Sequence, residues 1–183
     1  KSFSLQVIEG DRMLALSENN NLKHSTIFAE RGVIYDRNNK ELVWNKEERA
    51  YIDMGGLSHV LGYVKYPSKD SAGFYYKEDY DGVAGSERLF DDILAGENGL
   101  RIIETNALGK IASESVISPP KDGDNITLSI DAGLQSAFYN LLTQTVNGGD
   151  FFGASGVILD VETGEILAVA NSPEIDSNVL TSG

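Results

Sequence analysis

The spacing of apolar residues changes character several times along the chain. Val7, Ile8, Met13, Leu14, Leu16 and Leu22 recur among polar residues at helical intervals, and Asn19, Asn20 and Asn21 weaken the end of the helix this predicts over 7–22. β-Formers follow at 27–28 and at Val33, Ile34 and Tyr35. The stretch 36–40 is a turn, because Asn tolerates the left-handed region, and Leu42, Val43 and Trp44 return as a strand. The pattern predicts a hairpin there, a short charged link over 45–49, and an apolar patch over 59–64. Residues 65–82 carry Tyr66, Phe74, Tyr75, Tyr76 and Tyr80 among Lys, Asp and Gly, which reads as a loop with aromatic plugs. Leu89, Phe90, Ile93 and Leu94 then recur at helical spacing, with Ser86 as the N-cap and Gly96 as the stop. Strands are expected over 100–104 and 110–117, around Ala107-Leu108-Gly109.

Pro119-Pro120-Lys121-Asp122-Gly123-Asp124 is the sharpest punctuation in the chain. It sets the expected domain boundary, with residues 1–124 on one side and 125–183 on the other. Beyond it, residues 125–130 alternate as a strand. Asp131 then caps a helix with Leu134, Ala137, Phe138, Leu141 and Leu142 on one face, ended by Asn147-Gly148-Gly149. Two nearly continuous apolar runs, 156–160 and 165–169, flank a turn at 161–164. That pattern predicts a hairpin buried on both faces. The helix and hairpin should pack through Leu134, Phe138, Leu141, Val157, Leu159, Ile166 and Ala168. An apolar face and a strand edge left open should favour self-association, relieved by truncation near Gly123. The fold class is α+β.

Composition narrows the function. Of 183 residues, 28 are acidic and 15 basic, a net charge of −13, so binding to nucleic acid through bulk charge is excluded. With 41% hydrophobic residues the chain can build a core. It has no cysteine, which removes disulfide frameworks, zinc knuckles and thiol nucleophiles, and its two histidines, His24 and His59, are too few for a His-rich metal site. No apolar run approaches the ~18 residues of a membrane-spanning helix.

Catalytic motifs are weak. Ser118-Pro119-Pro120-Lys121 has the S-x-x-K spacing of serine acyltransferases, but that chemistry needs Ser and Lys one helical turn apart, and two prolines favour an extended loop. Asp122, Asp124 and Asn125, like Asp160, Glu162 and Glu165, are scraps of a calcium loop without its terminal Glu. Asn125-Ile126-Thr127 is a bare sequon, Lys110 lacks the rest of a phosphate loop, and His59 beside an apolar run reads as structural. No catalytic, metal or cofactor residue is therefore assigned. The discriminating residues are structural. Arg31 and Arg37 bracket a strand and its turn, Gly85-Ser86-Glu87 opens a helix, and a buried arginine needs a carboxylate such as Glu87.

Several of these segments, taken in order, resemble one family. Leu5 to Gly10, Ala15 to Asn19, Arg31 to Asn38, Ser58 to Val64 and Gly85-Ser86-Glu87 with Leu94-Ala95-Gly96 are similar to the pedestal, or dimerisation, domain of class B penicillin-binding proteins. Asp131 with Leu134-Gln135, the run from Gly156 to Ala168, Ser172-Pro173 and Asn178 resemble the opening of the transpeptidase domain. His59-Val60-Leu61-Gly62-Tyr63-Val64 looks more like the elongation branch. The resemblance implies an elongated pedestal of hairpins and short helices over 1–124, lacking the head usually inserted near 45–57. A helix and β-hairpin from the start of a β-lactamase-like transpeptidase domain would follow over 125–183. It implies a non-catalytic scaffold segment, outside the cytoplasmic membrane in the bacterial cell envelope, whose membrane anchor and S-x-x-K, S-x-N and K-T-G motifs lie elsewhere in the parent. The implied partner is a membrane glycosyltransferase of the shape, elongation and division type. Structural or interdomain roles fall to Arg31, Gly32, Asp36, Arg37, His59, Gly62, Gly85 and Glu87. Two other classes remain open on the residues alone, a small acid-rich hydrolase and a free-standing extracellular interaction module. The first requires two facing carboxylates in a cleft.

Overall fold

A computed structural model describes residues 22–46, 48–69, 75–77, 80–105, 111–174 and 177–181. The elements run β1 (Leu22–Ile27), β2 (Ile34–Tyr35), β3 (Glu41–Asn45), β4 (Arg49–Tyr51), α1 (Ser58–Leu61), β5 (Val64–Lys65), β6 (Ser68–Lys69), β7 (Tyr75–Lys77) and β8 (Asp81–Gly82). They continue with α2 (Gly85–Leu89), α3 (Asp91–Leu94), β9 (Gly99–Thr105), β10 (Ile111–Ser118), β11 (Ile126–Thr127), α4 (Ala132–Gly148), β12 (Ala154–Leu159), β13 (Ile166–Ser172) and α5 (Ser177–Thr181). This mix of hairpins, short helices and one long helix is α+β. Residues 7–21 of the expected N-terminal helix lie outside the described residues, and Leu22 opens a strand. The chain divides into two compact units, one drawn from 1–28 and 98–121, the other from 29–97 and 122–183.

The smaller unit is a three-stranded antiparallel sheet with β9 between β1 and β10. Ile27 lies opposite Gly99 and Leu22 opposite Glu104, while β10 makes two register shifts along β9. The two expected strands are both present, and their turn falls outside the described residues. Arg101 pairs with Glu114 at 2.7 Å across β9 and β10, and the Ser113 hydroxyl donates to Glu104 at 2.7 Å.

The larger unit is built on a four-stranded sheet in the order β11-β2-β3-β4. The β2–β3 hairpin closes as expected. Asp36 Oδ1 accepts the N–H groups of Asn38 and Lys40, each at 2.8 Å, and Asn39 sits at φ 61°. Of the charged link expected over 45–49, Asn45 closes β3 and Arg49 opens β4, which extends the sheet and buries Arg49 and Tyr51. Of the strand expected over 125–130, Ile126 and Thr127 pair parallel to β2, with the Asn125 side chain accepting the Val33 N–H at 2.7 Å before them and the Leu128 N–H donating to the Tyr35 carbonyl at 2.9 Å after them. The helix expected after Ser86 is broken at Phe90 into α2 and α3. Ser86 is not its cap: Ala84 holds that position, and the Ser86 hydroxyl donates to the Val60 carbonyl at 2.8 Å.

Asp131 caps α4 by accepting the Leu134 N–H at 2.9 Å. The face that α4 buries is only partly the expected one: Phe138 packs on the hairpin and Ala168 is buried beneath the helix. Ala132 and Gln135 are fully buried, whereas Leu134 and Leu141 are exposed. Gln135 wins the inner face because its amide meets the β13 main chain in both directions, donating to the Val169 carbonyl at 2.6 Å and accepting its N–H at 2.7 Å. Small residues let the helix approach: Ala168 and Ala170 are buried, and Phe138 lies against Gly156. The β12–β13 hairpin forms, but one face of β12 is open, with Val157 and Leu159 each more than half exposed, so burial on both faces is not found. The truncation that the sequence favours is also unsound, since Ile130 and Ala132 belong to the same core as Ile34, Leu42 and Leu94.

Hydrogen bonds from the Leu134 N–H and then the Asn38 amide hold the Asp131 carboxyl below its ordinary value. Its folded-state pKa is thus depressed. The stabilisation is full above the unfolded-state value near 3.8 and fades as pH falls through the lower folded one. Asp131→Ala should cost about 1 kcal/mol near neutral pH. Urea midpoints of the two proteins should converge as the pH is taken down into the acid range.

Candidate functional site

Two arginines and one glutamate meet where three separate segments cross. Arg31 lies in the extended run before β2, Arg49 opens β4, and Glu87 is in the first turn of α2. Their side chains are 3%, 1% and 0% exposed, so none of the three can rely on water. Glu87 divides its carboxylate between the arginines: Arg31 Nε donates to Oε2 at 2.6 Å and Arg49 Nε to Oε1 at 2.8 Å. Arg31 Nη2 also donates to the Glu87 carbonyl at 2.8 Å and to Asp91 Oδ1 at 2.5 Å. Arg49 completes the set with the carbonyls of Arg31 at 3.2 Å and Gly32 at 2.7 Å, and with Asn45 Oδ1 at 2.8 Å. Two guanidiniums face two carboxylates, so the cluster is neutral. Tyr66 seals one side by accepting the Arg49 N–H at 2.7 Å, and burial pushes its phenol up.

The other residues singled out by sequence take different places. Asp36 Oδ2 reaches the Ala132 N–H at 3.2 Å, so one carboxylate ties the hairpin turn to the start of α4. Arg37 does not join the cluster; it pairs with Glu165 at 3.5 Å on the surface. His59 Nε2 lies 2.9 Å from the Asn171 amide nitrogen. Gly32 packs so close to Asp124 that a Cβ would meet its carbonyl. Gly62 at φ 75° and Gly85 at φ 56° stand back to back, and a Cβ on either would strike the main chain of the other's helix end.

Sequence reasoning missed Arg49, hidden in a charge run, and a second arrangement farther along. Here side chains from 135–178 bind the main chain of 51–58. Asn178 Oδ1 accepts the Tyr51 N–H at 3.2 Å while its amide donates to the Tyr51 carbonyl at 3.5 Å. Glu174 accepts the N–H groups of Gly56 at 2.5 Å and Ser58 at 2.6 Å. Ser177 donates to the Ser58 carbonyl at 3.3 Å, and Gln135 donates to the Gly56 carbonyl. A cleft of about 230 Å³ lies there, bordered by Tyr51, Asp53, Tyr139, Glu174 and Asn178.

The weaker motifs resolve as local structure. Ser118 ends β10 with its hydroxyl accepting the Leu100 N–H at 3.1 Å. Asp122 accepts the Glu30 N–H at 2.9 Å, and Asp160 caps the 161–164 turn. Among the described residues no group of His, Asp and Glu is arranged to hold a metal ion.

Residues 45–128 match the family described as the penicillin-binding protein dimerisation domain. The chain is 31% identical over 137 residues to the peptidoglycan D,D-transpeptidase FtsI of Escherichia coli K12, covering 74% of this chain and 21% of that protein. It is 33% identical over 144 residues to a probable peptidoglycan D,D-transpeptidase PenA of Neisseria meningitidis, covering 76% of this chain and 22% of that one. The chain thus spans about a fifth of the length of these curated relatives. A solved structure titled as the coordination of polymerization and crosslinking by a peptidoglycan synthase complex shares the fold, with a TM-score of 0.66 and 24% identity over 97% of this chain and 44% of that one.

Removing one partner from a buried ion pair leaves uncompensated charge and costs ~3–5 kcal/mol, whereas an exposed pair contributes under about 1 kcal/mol. Glu87→Ala should therefore lower the melting temperature by on the order of 10 °C. Arg37→Ala, which breaks only the surface pair with Glu165, should leave it nearly unchanged. Thermal unfolding followed by circular dichroism compares the two.

Proposed function

Because this chain belongs to the class B penicillin-binding proteins through its dimerisation domain, we propose that it is a non-catalytic scaffold segment of a peptidoglycan-cross-linking transpeptidase. It positions the catalytic domain and contacts a membrane glycosyltransferase of the shape, elongation and division type, on the outer side of the cytoplasmic membrane. Residues 1–124 form the pedestal and 125–183 open the transpeptidase domain. The joint between these two stretches lies inside one compact unit, in which 51–58 and 135–178 interlock. Arg31, Arg49 and Glu87 hold the pedestal side rigid, Gly32, Gly62 and Gly85 permit its close crossings, and Asp36 ties it to α4. Arg37 and His59 add the outer contacts to Glu165 and Asn171.

One observation carries this reading: the buried carboxylates are fully engaged in holding the chain to itself. Glu87 is shared by two guanidiniums, and Asp36 by three main-chain N–H groups. Both carboxylates are thus occupied in holding the fold. The partner assignment draws on the fold shared with a chain of a peptidoglycan synthase complex.

Treated with a fluorescent penicillin, the chain should acquire no covalent label. An adduct that forms at Ser118 and disappears in Ser118→Ala would overturn the non-catalytic reading. Copurification of the chain with a membrane glycosyltransferase of this type from solubilised membranes tests the partner, and failure to recover one refutes it. Val157 and Leu159 are exposed on one face of β12 in the larger unit. The isolated chain should therefore associate with rising concentration in sedimentation velocity, and a clean monomer would show that this face needs no cover.

A further inference from the structure

A groove of about 440 Å³ lies within the larger unit, among α1, α2, β13 and the stretch after β11. Pockets of this size, ~300–1,000 Å³, are the ones that take ligands. Its wall is mostly apolar, made by Val60, Leu89, Phe90, Leu128, Ile166 and Val169, and no acidic residue, lysine or arginine lines it. Leu89 belongs to this wall while 76% exposed, a large aliphatic side chain with little of its own chain to cover it. Two polar side chains of the wall are already engaged. The Ser86 hydroxyl donates to the Val60 carbonyl and the Ser129 hydroxyl to the Ile166 carbonyl, each at 2.8 Å.

His59 and Asn171 complete the wall, and their hydrogen bonds fix what they can offer. The Asn171 amide nitrogen lies 2.9 Å from His59 Nε2 and donates to the Pro173 carbonyl at 3.2 Å. A carbonyl only accepts, so Pro173 holds the amide with its nitrogen, not its oxygen, on this side. His59 Nε2 must then accept, which puts the proton of the neutral ring on Nδ1. One donor, His59 Nδ1–H, and one acceptor, Asn171 Oδ1, are left over from the bonds that the two residues make among the described residues. A donor beside an acceptor at the border of an apolar hollow matches the carbonyl and N–H of a peptide residue. A wall without a cation, in a chain of net charge −13, disfavours anionic amphiphiles.

We propose that this groove is a docking site for an uncharged apolar residue, leucine in type, of a partner's peptide segment. The aliphatic side chain enters against Leu89, Phe90 and Val169, the residue's carbonyl accepts from His59 Nδ1–H, and its N–H donates to Asn171 Oδ1. The site is independent of the scaffold reading, and a free blocked amino acid tests it without any cell-wall chemistry.

Two-dimensional NMR on the full chain, titrated with N-acetyl-leucine methylamide, decides it. Shifts should saturate at the Asn171 side-chain amide and at the methyl groups of Leu89 and Val169. N-acetyl-alanine methylamide keeps the peptide groups and isoamyl alcohol keeps the leucine side chain; each should bind weaker by about ten-fold or more. Leu89→Ser and His59→Ala change exposed positions, so the fold is retained. Each should weaken binding of the leucine methylamide by about five-fold or more. Nitrogen chemical shifts of the His59 ring in mildly alkaline buffer should place its proton on Nδ1. A proton on Nε2 would overturn the proposal, because the donor would be gone. Equal binding of the alcohol would overturn it as well, since the groove would then be a plain apolar hollow. So would undiminished affinity in either variant, or the absence of saturable shifts at these groups.

Discussion

A carboxylate with no exposure to water has to be surrounded by its own chain, and at Glu87 that requirement organises the larger unit. Each of its oxygens takes a different guanidinium, and each guanidinium is anchored in a different segment. The run before β2, the start of β4 and the opening turn of α2 therefore have to arrive together. Such a cluster adds little net stability over an apolar equivalent, because desolvation offsets most of the attraction. Its effect is on which arrangement is allowed. Any other crossing of these segments leaves a charge buried without a partner, and the donated bonds to the carbonyls of Arg31, Gly32 and Glu87 fix the angle of the crossing.

The cluster also explains why its surroundings contain so many close approaches. Once α1 and α2 are drawn against each other, their ends have room only for hydrogen at Gly62 and Gly85, both in the left-handed region. Gly32, next to Arg31, is pressed against the Asp124 carbonyl in the same way. Backbone proximity here follows from the demands of buried charge, and the glycines are what make that proximity sterically possible.

Much of this was legible in the sequence, and the gaps have physical causes. The Asp36 turn, the Asp131 cap and both long hairpins depend on local chemistry, which a chain shows directly. The pairing of Arg31 with Glu87 was readable because an arginine beside an apolar strand has few alternatives to a carboxylate. Arg49 was not, since a charged run looks solvated until the alternation of Arg49 and Tyr51 is recognised as a strand. The buried face of α4 was only partly legible for a related reason. Periodicity ranks Leu134 and Leu141 above Gln135, yet a side-chain amide that satisfies a strand's main chain belongs inside, and apolar periodicity carries no trace of that partner. Glu174 and Asn178 escaped for the same cause: what they bind is backbone, which has no letter in the sequence.

That last feature has an asymmetric consequence for how the protein can vary. Gln135, Glu174 and Asn178 recognise peptide groups in 51–58, and peptide groups are the same whatever residue carries them. Ile52, Asp53 and Met54 can therefore drift in identity without disturbing the bonds, within the shape the backbone allows. Gly56 is held fixed, by its φ of 92° and its contact with Tyr139. The specification of the joint is written almost entirely on one partner, so exchanging the 51–54 stretch between related proteins should preserve the fit where exchanging the 135–178 stretch would not.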